Sequence, residues 1–348
     1  MEITLQDAVT DTPATTAIAR WLRGEMHADS VRITRFERLP GGAIQDNSVL
    51  DVDIAGGPWH GRHAFVLRTD SPSSVSASLT RAQEYAVLRV ANTAGVIAPK
   101  PLFLCRDADV IGREFFVMEC LPGVAAGHRL TREASLVPDA DVLAYALGAN
   151  LARIHAIRPP AAELASLPAP RANPALAVIG DYRAYLDRLS DTYPALEWGL
   201  RWCERYAPAS FDVTLIHRDY RTGNYLVDAG RLTGVLDWEF AGWGDPREDL
   251  GWFTARCWRF GVVEREAGGI AKLDPFLRGY ESVAGRAIAR RELDYWQVMA
   301  HVRWAVIALQ QAQRHRAGSE RSLELALTGR IVHELEYDML QLIARSAA

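Results

Sequence analysis

Short segments in the first third of the chain alternate polar and apolar residues or run apolar, which predicts a small antiparallel sheet. A period of two is typical of strands with one buried face, and glycine- or proline-rich stretches between the segments are typical of turns. The predicted strands are 31–36, 48–54, 63–68, 101–105 and 114–121. Helices are predicted over 11–27 and 78–94, the second ending before Gly95.

Beyond residue 121 the hydrophobic period changes to that of helices. One core helix is predicted from apolar residues spaced three or four apart, namely Leu143, Leu147, Leu151 and Ile154. The pattern also predicts long helices over 182–206 and 293–313 and a proline- and alanine-rich loop over 159–174. We therefore expect an α+β protein with two lobes, 1–121 and 122–348.

A strand, a loop and a hairpin in the second lobe carry the most informative polar residues. The strand is 213–216, the loop contains Asp219 and Asn224, and the hairpin 225–236 leads to Asp237. An Asp that faces a substrate hydroxyl and an Asn five positions later that holds a metal form the spacing used in ATP-dependent phosphoryl transfer. Asp237 adds an oxygen ligand suited to Mg²⁺. These residue types also occur together by chance, but the strand-loop-hairpin context favours a functional site.

Three motifs from this region resemble a known family. In chain order they are His217-x-Asp219-x-x-x-x-Asn224, Asp237-Trp238-Glu239 and Gly244-Asp245-Pro246-x-x-Asp249-Leu250. They resemble the aminoglycoside phosphotransferase family with its choline kinase-like members, a branch of the protein-kinase-like fold. The resemblance implies a bilobal structure with a small antiparallel-sheet N-lobe, which binds the nucleotide, and a larger, mainly helical C-lobe with the acceptor pocket.

The resemblance also implies a reaction. Asp219 would orient the acceptor hydroxyl and accept its proton, while Asn224 and Asp237 would hold Mg²⁺ against the phosphates of ATP. Family members phosphorylate hydroxyls of small molecules such as aminoglycosides, macrolides, choline and hydroxyacids or their thioesters. A eukaryotic-type protein kinase is disfavoured, because Asp237 is followed by Trp-Glu rather than Phe-Gly.

In the N-lobe the resemblance points to the residues that would bind the phosphates. Gly41, Gly42 and Ala43 form the predicted phosphate loop, although a glycine pair between strands is also typical of a plain turn. Arg68 occupies the strand position where related kinases carry Lys, and its guanidinium can bind phosphate oxygens in a fork. Glu84 is predicted to pair with Arg68, with a solvated surface charge as the alternative.

Further positions are assigned with the same reasoning. Glu119 and Leu121, at the exit of the last N-lobe strand, are predicted to lie at the adenine-binding edge. His301, Arg303 and Trp304 either contact the acceptor or pack in the core. Three residues are expected to be structural rather than catalytic: His155, Asp245 and Asp249.

Composition narrows the class of protein. The 348 residues are 49% hydrophobic and 24% charged, which suits a folded enzyme, and a net charge of −4 gives no global attraction to nucleic acid or to an anionic membrane. The four cysteines form no Cys-x-x-Cys pair, so neither a zinc site nor a disulfide framework is indicated. The chain shows no signal-peptide pattern and no membrane span, and we expect a cytoplasmic protein.

The expected partner is a small-molecule hydroxyl acceptor, and the sequence leaves its identity and the oligomeric state open. Acidic residues near the C-terminal helices would suit an aminoglycoside, and nearby arginines would suit an anionic acceptor such as a hydroxyacid or its thioester. The alternative is a nucleotide-binding regulator that keeps the kinase-like fold without transfer activity, because Arg68 replaces Lys and the glycine loop is atypical.

Overall fold

The computed structural model describes residues 12–39, 45–70, 78–318 and 321–346. The chain folds into two compact units, one within Met1–Asn92 and Pro99–Leu121 and the other within Thr93–Ala98 and Pro122–Ala348. The first unit is built on a β-sheet and the second is mostly helical. Over the described residues, no helix is both long and apolar enough to cross a lipid bilayer.

The sheet of the first unit has five antiparallel strands in the order β1-β2-β3-β5-β4. They are β1 (Ser30–Arg38), β2 (Gln45–Ala55), β3 (Gly61–Asp70), β4 (Pro101–Cys105) and β5 (Phe115–Glu119). The helices are α1 (Pro13–Glu25) and α2 (Arg81–Thr93). All five predicted strands and both predicted helices are present, with ends shifted by a few residues.

Helix α1 covers one face of this sheet. It begins with a capping box, in which the side chains of Thr12 and Thr15 each bond to the backbone of the other, and with Pro13 in its first turn. Ile18 and Leu22 lie on its buried face. They pack in one core with residues from the strands, including Leu50, Val52, Phe65, Leu67, Phe115 and Val117.

The second unit consists of helices and two small antiparallel strand pairs. Its helices are α3 (Gly127–Arg132), α4 (Ala140–His155), α5 (Pro174–Leu186), α6 (Pro194–Arg205), α7 (Pro246–Thr254), α8 (Leu273–Ala284), α9 (Arg290–Arg316), α10 (Leu323–Thr328) and α11 (Val332–Ser346). The pairs are β6 (Thr214–Ile216) with β9 (Gly242–Gly244), and β7 (Tyr225–Asp228) with β8 (Arg231–Val235). Ala229 and Gly230 both have positive φ in the turn between β7 and β8, as a two-residue hairpin of this twist requires.

Helix α9 forms the centre of the larger core of this unit. It extends over 27 residues and confirms the long helix predicted over 293–313. Helices α6, α7 and α11 pack against it. Its buried residues include Tyr295, Trp296, Val298, Met299, Val302 and Val306.

Helices α4 and α8 lie unusually close together because glycines stand at the contact. A Cβ atom at Gly148 would collide with the carbonyl oxygen of Phe276, and one at Gly279 would collide with that of Tyr145. The core helix predicted from the leucine spacing is confirmed as α4. This packing fixes His155, at the C-terminal end of α4, near α8.

The single long helix predicted over 182–206 is wrong. The chain leaves the helical conformation after Leu186 and re-enters it at Pro194, so that two helices replace one. Proline lacks an N–H and its ring collides with the preceding turn of a helix, so it begins a helix far more readily than it continues one. Asn173 caps the first of these helices and accepts the backbone N–H of Leu176.

Candidate active site

The loop 217–224 follows β6 and is anchored by a buried carboxylate. Asp249 accepts the backbone N–H of His217 at 2.6 Å and that of Arg218 at 2.7 Å. Its side chain also accepts Nε2–H of His155 at 3.1 Å, while Nδ1 of His155 accepts the hydroxyl of Tyr280 at 2.9 Å. Burial would raise the pKa of Asp249, but the hydrogen bonds that it accepts from His155 and from the backbone of His217 hold it below its ordinary value.

The structural roles predicted for His155, Asp245 and Asp249 are confirmed by these contacts. Asp245 is the N-cap of α7, where its carboxylate accepts the backbone N–H of Arg247 at 2.9 Å. Asp249 lies in the first turn of the same helix. Helix α7 is therefore the element that positions the loop.

Asp219 lies in this loop with three hydrogen-bond donors on its carboxylate. Oδ1 accepts the indole N–H of Trp252 at 3.0 Å and Nε–H of Arg221 at 3.1 Å. Oδ2 accepts the side-chain amide of Asn224 at 2.6 Å, and the same amide donates to the backbone oxygen of Asp219 at 2.9 Å. The structure thus brings Asp219 and Asn224 into direct contact.

The end of the hairpin carries Asp237 to the same loop. The backbone N–H of Leu236 donates to the backbone oxygen of Asn224 at 2.8 Å, and Nε2 of His217 donates to the backbone oxygen of Leu236 at 2.8 Å. Burial lowers the pKa of His217, so its ring is neutral and its Nδ1 accepts the N–H of Asp219. Asp237 adopts a left-handed backbone with φ of 58°, uncommon for a residue other than glycine.

The side-chain oxygens of Asn224 and Asp237 are ligands that fit a Mg²⁺ ion bound together with phosphates. With its NH₂ group turned to Asp219, Asn224 directs its amide oxygen elsewhere, and Asp237 adds a carboxylate. Within the described ranges, no three side chains of His, Cys, Asp or Glu gather into a metal-binding group. A complete protein cage is therefore absent there, whereas Mg²⁺ typically takes one or two protein ligands and completes its shell with phosphates and water.

Beside Asp219 lies a cluster of tryptophans with an arginine on each of two rings. The rings of Trp252 and Trp258 have centroids 5.0 Å apart, and Trp304 lies 4.8 Å from Trp258. The guanidinium of Arg221 lies 4.6 Å from the centre of Trp258, and that of Arg303 lies 4.5 Å from the centre of Trp252. Neither the contact from Trp252 nor the one from Arg221 was predicted from the sequence.

A small cavity adjoins Trp252 on the side of Arg303. It is lined by Val178, Tyr182, Glu248, Trp252, Trp296, Met299, Ala300 and Arg303. Glu248 and Arg303 form a buried ion pair of 3.3 Å across it. Burial raises the pKa of Glu248, and Arg218 and Arg303 oppose this rise.

The three residues considered for acceptor contact have different surroundings. Arg303 lines the cavity, and Trp304 packs in the tryptophan cluster. His301 is fully buried and donates Nδ1–H to the backbone oxygen of Gln297 at 2.7 Å. It does not line the cavity, and burial lowers its pKa to about 4.

In the first unit, Arg68 and Glu84 form the predicted ion pair. Nε of Arg68 lies 2.8 Å from Oε1 of Glu84, and both side chains are almost completely buried. Arg68 also donates to Oδ1 of Asn47 at 3.2 Å. A second buried arginine, Arg81, bonds to the other oxygen of Glu84 and lies 2.9 Å from Asp70. Two guanidinium groups therefore share one carboxylate, an arrangement the sequence did not predict.

Of the other five residues predicted to bind the nucleotide, two lie among the described residues. Gly41, Gly42 and Ala43 lie outside the described residues. Glu119 ends β5, and its backbone N–H donates to the oxygen of Lys100 at 3.0 Å. Leu121, two residues later, is half-buried.

Several solved structures share the fold of the chain. A candidate aminoglycoside phosphotransferase of Ralstonia eutropha is 20% identical with a TM-score of 0.73, covering 95% of this chain and 98% of the other. Spectinomycin phosphotransferase APH(9)-Ia in complex with ADP and spectinomycin is 13% identical with a TM-score of 0.61, covering 94% and 98%. Macrolide 2'-phosphotransferase MphH of Brachybacterium faecium is 20% identical with a TM-score of 0.57, covering 93% and 98%. These likenesses confirm the kinase-like α+β fold with a small antiparallel sheet.

Curated relatives are longer than this chain. Acyl-CoA dehydrogenase family member 11 of Pongo abelii is 24% identical over 302 residues, which are 82% of this chain and 38% of the relative. Family member 10 of Mus musculus is 28% identical over 180 residues, 48% of this chain and 16% of the relative. The chain thus spans well under half the length of the curated relatives it matches.

A model of the APH phosphotransferase enzyme family matches residues 35–287, most of the chain. The match includes β3 with Arg68, the loop with Asp219 and Asn224, and Asp237 after the hairpin. The match therefore agrees with the family proposed from the sequence motifs. This chain belongs to the APH phosphotransferase enzyme family.

Proposed function

We propose that the protein transfers the γ-phosphoryl group of ATP to a hydroxyl group of a small molecule. The observation that carries this proposal is the contact of Asp219 with Asn224, in a loop that Asp249 holds by its backbone. A carboxylate held this way is suited to orient a hydroxyl, and the neighbouring amide oxygen is suited to a metal. Membership of the family supports a kinase-type phosphotransferase.

In the proposed step, the acceptor oxygen forms a bond to the γ-phosphorus while the bond from that phosphorus to the β–γ bridging oxygen breaks. The electron pair of the broken bond leaves with ADP, and the hydroxyl proton moves to Asp219. The donors Trp252, Arg221 and Asn224 hold the carboxylate in place but leave one lone pair, on Oδ2, that can accept the hydroxyl. Because the transition state is loose, positioning and charge neutralisation contribute more than base strength.

Asn224 and Asp237 are the proposed ligands of Mg²⁺, which when bound neutralises charge on the phosphates. In the first unit, Arg68 is proposed to bind the phosphates, with Glu84 fixing its orientation. Gly41, Gly42 and Ala43 are proposed to cover the phosphates, and Glu119 and Leu121 to lie at the adenine edge. Solved relatives in complex with ATP or AMP-PNP support nucleotide binding.

Two acceptor classes follow from the relatives. Structural neighbours are named for aminoglycosides, spectinomycin and macrolides. The curated relatives are named for acyl-CoA, which supports a hydroxyacid or its thioester as the acceptor. Near Asp219, Glu248 is already paired with Arg303, and Arg221 donates to Asp219 itself, which favours the second class.

A second candidate function is a nucleotide-binding regulator without transfer activity. The observation that favours it is the burial of Arg68, which is 2% exposed and already contacts Glu84 and Asn47. Such a protein would gain stability from ATP and form no product. The intact arrangement of Asp219 and Asn224 favours the enzyme.

The two functions are separated by measuring ADP formation and ATP binding with Mg²⁺ present. The acceptor panel contains aminoglycosides, choline, sugars, and hydroxyacids with their thioesters, and Asp219→Asn is measured beside the wild type. Turnover by the wild type that falls by about two orders of magnitude or more in Asp219→Asn, with ATP still bound, supports the enzyme. An Asp219→Asn enzyme as fast as the wild type contradicts the role of Asp219, and ATP binding without turnover on the whole panel supports the regulator.

A further inference from the structure

We propose that the acceptor is a hydroxycarboxylate whose carboxylate lies next to the reacting hydroxyl and binds the guanidinium of Arg221. This inference rests on the proposed phosphotransferase function and adds the chemical class of the acceptor. It selects the free hydroxyacid over an aminoglycoside and over a thioester. The residues concerned all belong to the second unit.

Arg221 is anchored to Asp219 but keeps part of its guanidinium accessible. Its Nε donates to Asp219, its Nη1 makes a long 3.4 Å contact with the backbone oxygen of Thr222, and the side chain is 27% exposed. Among the residues that the structure describes, Nη2 of Arg221 has no hydrogen-bond partner. Two N–H groups at the outer edge of a guanidinium match the two oxygens of a carboxylate.

The surroundings keep this outer edge in place and uncovered. Trp258 supports the guanidinium from one face at 4.6 Å, which limits its movement. Gly223 leaves space beside it, because a Cβ atom there would lie 2.9 Å from Nη1 of Arg221. The Nε contact places the guanidinium directly beside the carboxylate that is proposed to bind the hydroxyl. An anionic group that reaches Arg221 must therefore lie within a few bonds of that hydroxyl.

The charges on this side of Asp219 favour an anion. Arg218, Arg221 and Arg303 lie in this region with the carboxylates of Asp219, Glu248, Asp245 and Asp249. Three of these carboxylates already have partners of their own, because Asp245 pairs with Arg247, Asp249 bonds to His155 and Glu248 pairs with Arg303. When Asp219 accepts the hydroxyl proton, Arg221 loses its charged partner. An ammonium group on the acceptor would be repelled by Arg221, whereas a carboxylate would be attracted by it.

The tryptophan cluster fixes the positions of Asp219 and Arg221. Trp252 and Trp258 are almost completely buried, and Trp252 donates its indole N–H to Asp219. The ring of Trp258, which packs against those of Trp252 and Trp304, lies against the guanidinium of Arg221. The predicted acceptor therefore combines a carboxylate with an adjacent hydroxyl.

The test uses three matched sets of compounds in which one group is a carboxylate, a hydroxymethyl or an aminomethyl group. The sets are glycolate with ethylene glycol and ethanolamine, lactate with propylene glycol and isopropanolamine, and mandelate with phenylethylene glycol and phenylethanolamine. Binding to the full chain is followed by intrinsic tryptophan fluorescence with Mg²⁺ and a non-hydrolysable ATP analogue. ADP formation is measured in parallel with ATP, and lactoyl-CoA is included as a thioester without the free carboxylate.

We expect the carboxylate of at least one set to bind about tenfold or more tightly than its glycol and its amine. Arg221→Gln should abolish this preference and Arg221→Lys should retain part of it. Arg290→Gln, which removes an arginine paired with Asp294 at the surface of the same unit, should leave it unchanged. Thermal unfolding of each variant shows that the fold is intact.

The inference is overturned if no carboxylate is preferred in any set, if lactoyl-CoA binds more tightly than lactate, or if Arg221→Gln keeps the preference. If the proposed phosphotransferase function is wrong, the experiment gives a different result from those that overturn the inference. Binding of a carboxylate without ADP formation would contradict phosphoryl transfer and keep the anion site. Efficient transfer to a glycol or an amine would keep the kinase and overturn the hydroxycarboxylate.

Discussion

The indole N–H of Trp252 donates a hydrogen bond of 3.0 Å to Oδ1 of Asp219. Trp252 belongs to α7, the helix whose Asp249 also binds the backbone at the start of the loop that holds Asp219. One helix thus fixes both the backbone and the side chain of the proposed base. Replacements in α7 are therefore expected to affect catalysis and folding in separable ways.

Trp252→Phe should lower turnover without unfolding the protein. The ring is largely retained, but the hydrogen bond to a charged carboxylate is lost, and such a bond is worth roughly 1.5–3 kcal/mol. We expect kcat to fall by about ten- to a hundredfold with little change in the KM for ATP. The control is Trp198→Phe, because Trp198 is 60% exposed. Equal kcat in Trp252→Phe and wild type would show that this bond does not position the base.

Asp237→Asn should weaken the binding of the nucleotide together with its metal. Removal of the negative charge leaves the amide of Asn224 as the other proposed ligand, and Mg²⁺ prefers carboxylate oxygens. We expect the apparent Kd for ATP to rise at low Mg²⁺ and to recover in part as Mg²⁺ is added, as measured by calorimetric titration. Asp228→Asn, at the exposed turn of the same hairpin, is the matched control. If the ATP affinity of Asp237→Asn depended on the Mg²⁺ concentration in the same way as that of Asp228→Asn, Asp237 would be removed from the metal site.

Asp249→Asn should destabilise the second unit strongly. The wild-type carboxylate is fully buried and accepts two backbone N–H groups and Nε2–H of His155, so an amide there would place its NH₂ against a donor. We expect a loss of about 3 kcal/mol in the free energy of unfolding, as measured with urea. Asp212→Asn removes an exposed pair with Arg158 and should cost less than about 0.5 kcal/mol. Comparable losses in the two variants would contradict the anchoring role.

His301 should make the fold sensitive to mild acid. Its pKa is lowered from 6.5 to about 4 by burial, so the unfolded chain binds a proton at a pH where the folded protein does not. The free energy of unfolding therefore falls as the pH decreases from about 6.5 towards 4, by roughly 3 kcal/mol from this residue alone.

The measurement is urea unfolding at neutral pH and near pH 5 for wild type and His301→Gln. Between neutral pH and pH 5, the free energy of unfolding should fall less in His301→Gln than in wild type, whatever its value at neutral pH. His128→Gln, at an exposed position, should keep the wild-type slope. Identical slopes in wild type and His301→Gln would mean that His301 is not a neutral buried group in the folded protein.

The sequence predicted best those features that depend on neighbours along the chain. Asp219 and Asn224 share one loop, so their spacing alone indicated that they belong to one site, and the hairpin that leads to Asp237 was visible in its turn residues. The pair of Arg68 and Glu84 was predictable because the resemblance supplied the strand and the helix to compare. For these residues, closeness along the chain and the known pattern of the family were sufficient for a prediction.

Contacts between distant elements could not be predicted in the same way. Trp252 and Trp304 show the helical spacing of ordinary core residues, and only the packing of α9 on α7 brings them together near Asp219. Arg218 and Arg221, on either side of Asp219, were the available signals for cations at the site. The break before Pro194 was visible in the sequence, both in the proline and in the mostly polar residues 187–192, and was missed.

The amide of Asn224 has two different ends, and Asp219 determines which way it faces. Since both oxygens that accept its NH₂ group belong to Asp219, the opposite end is directed away before any ligand arrives. The proposed base and metal ligand are thus preorganised by each other, and a flipped amide would disturb both at once. Exchange of Asn224 for the isosteric Asp would replace this attraction by repulsion between two carboxylates.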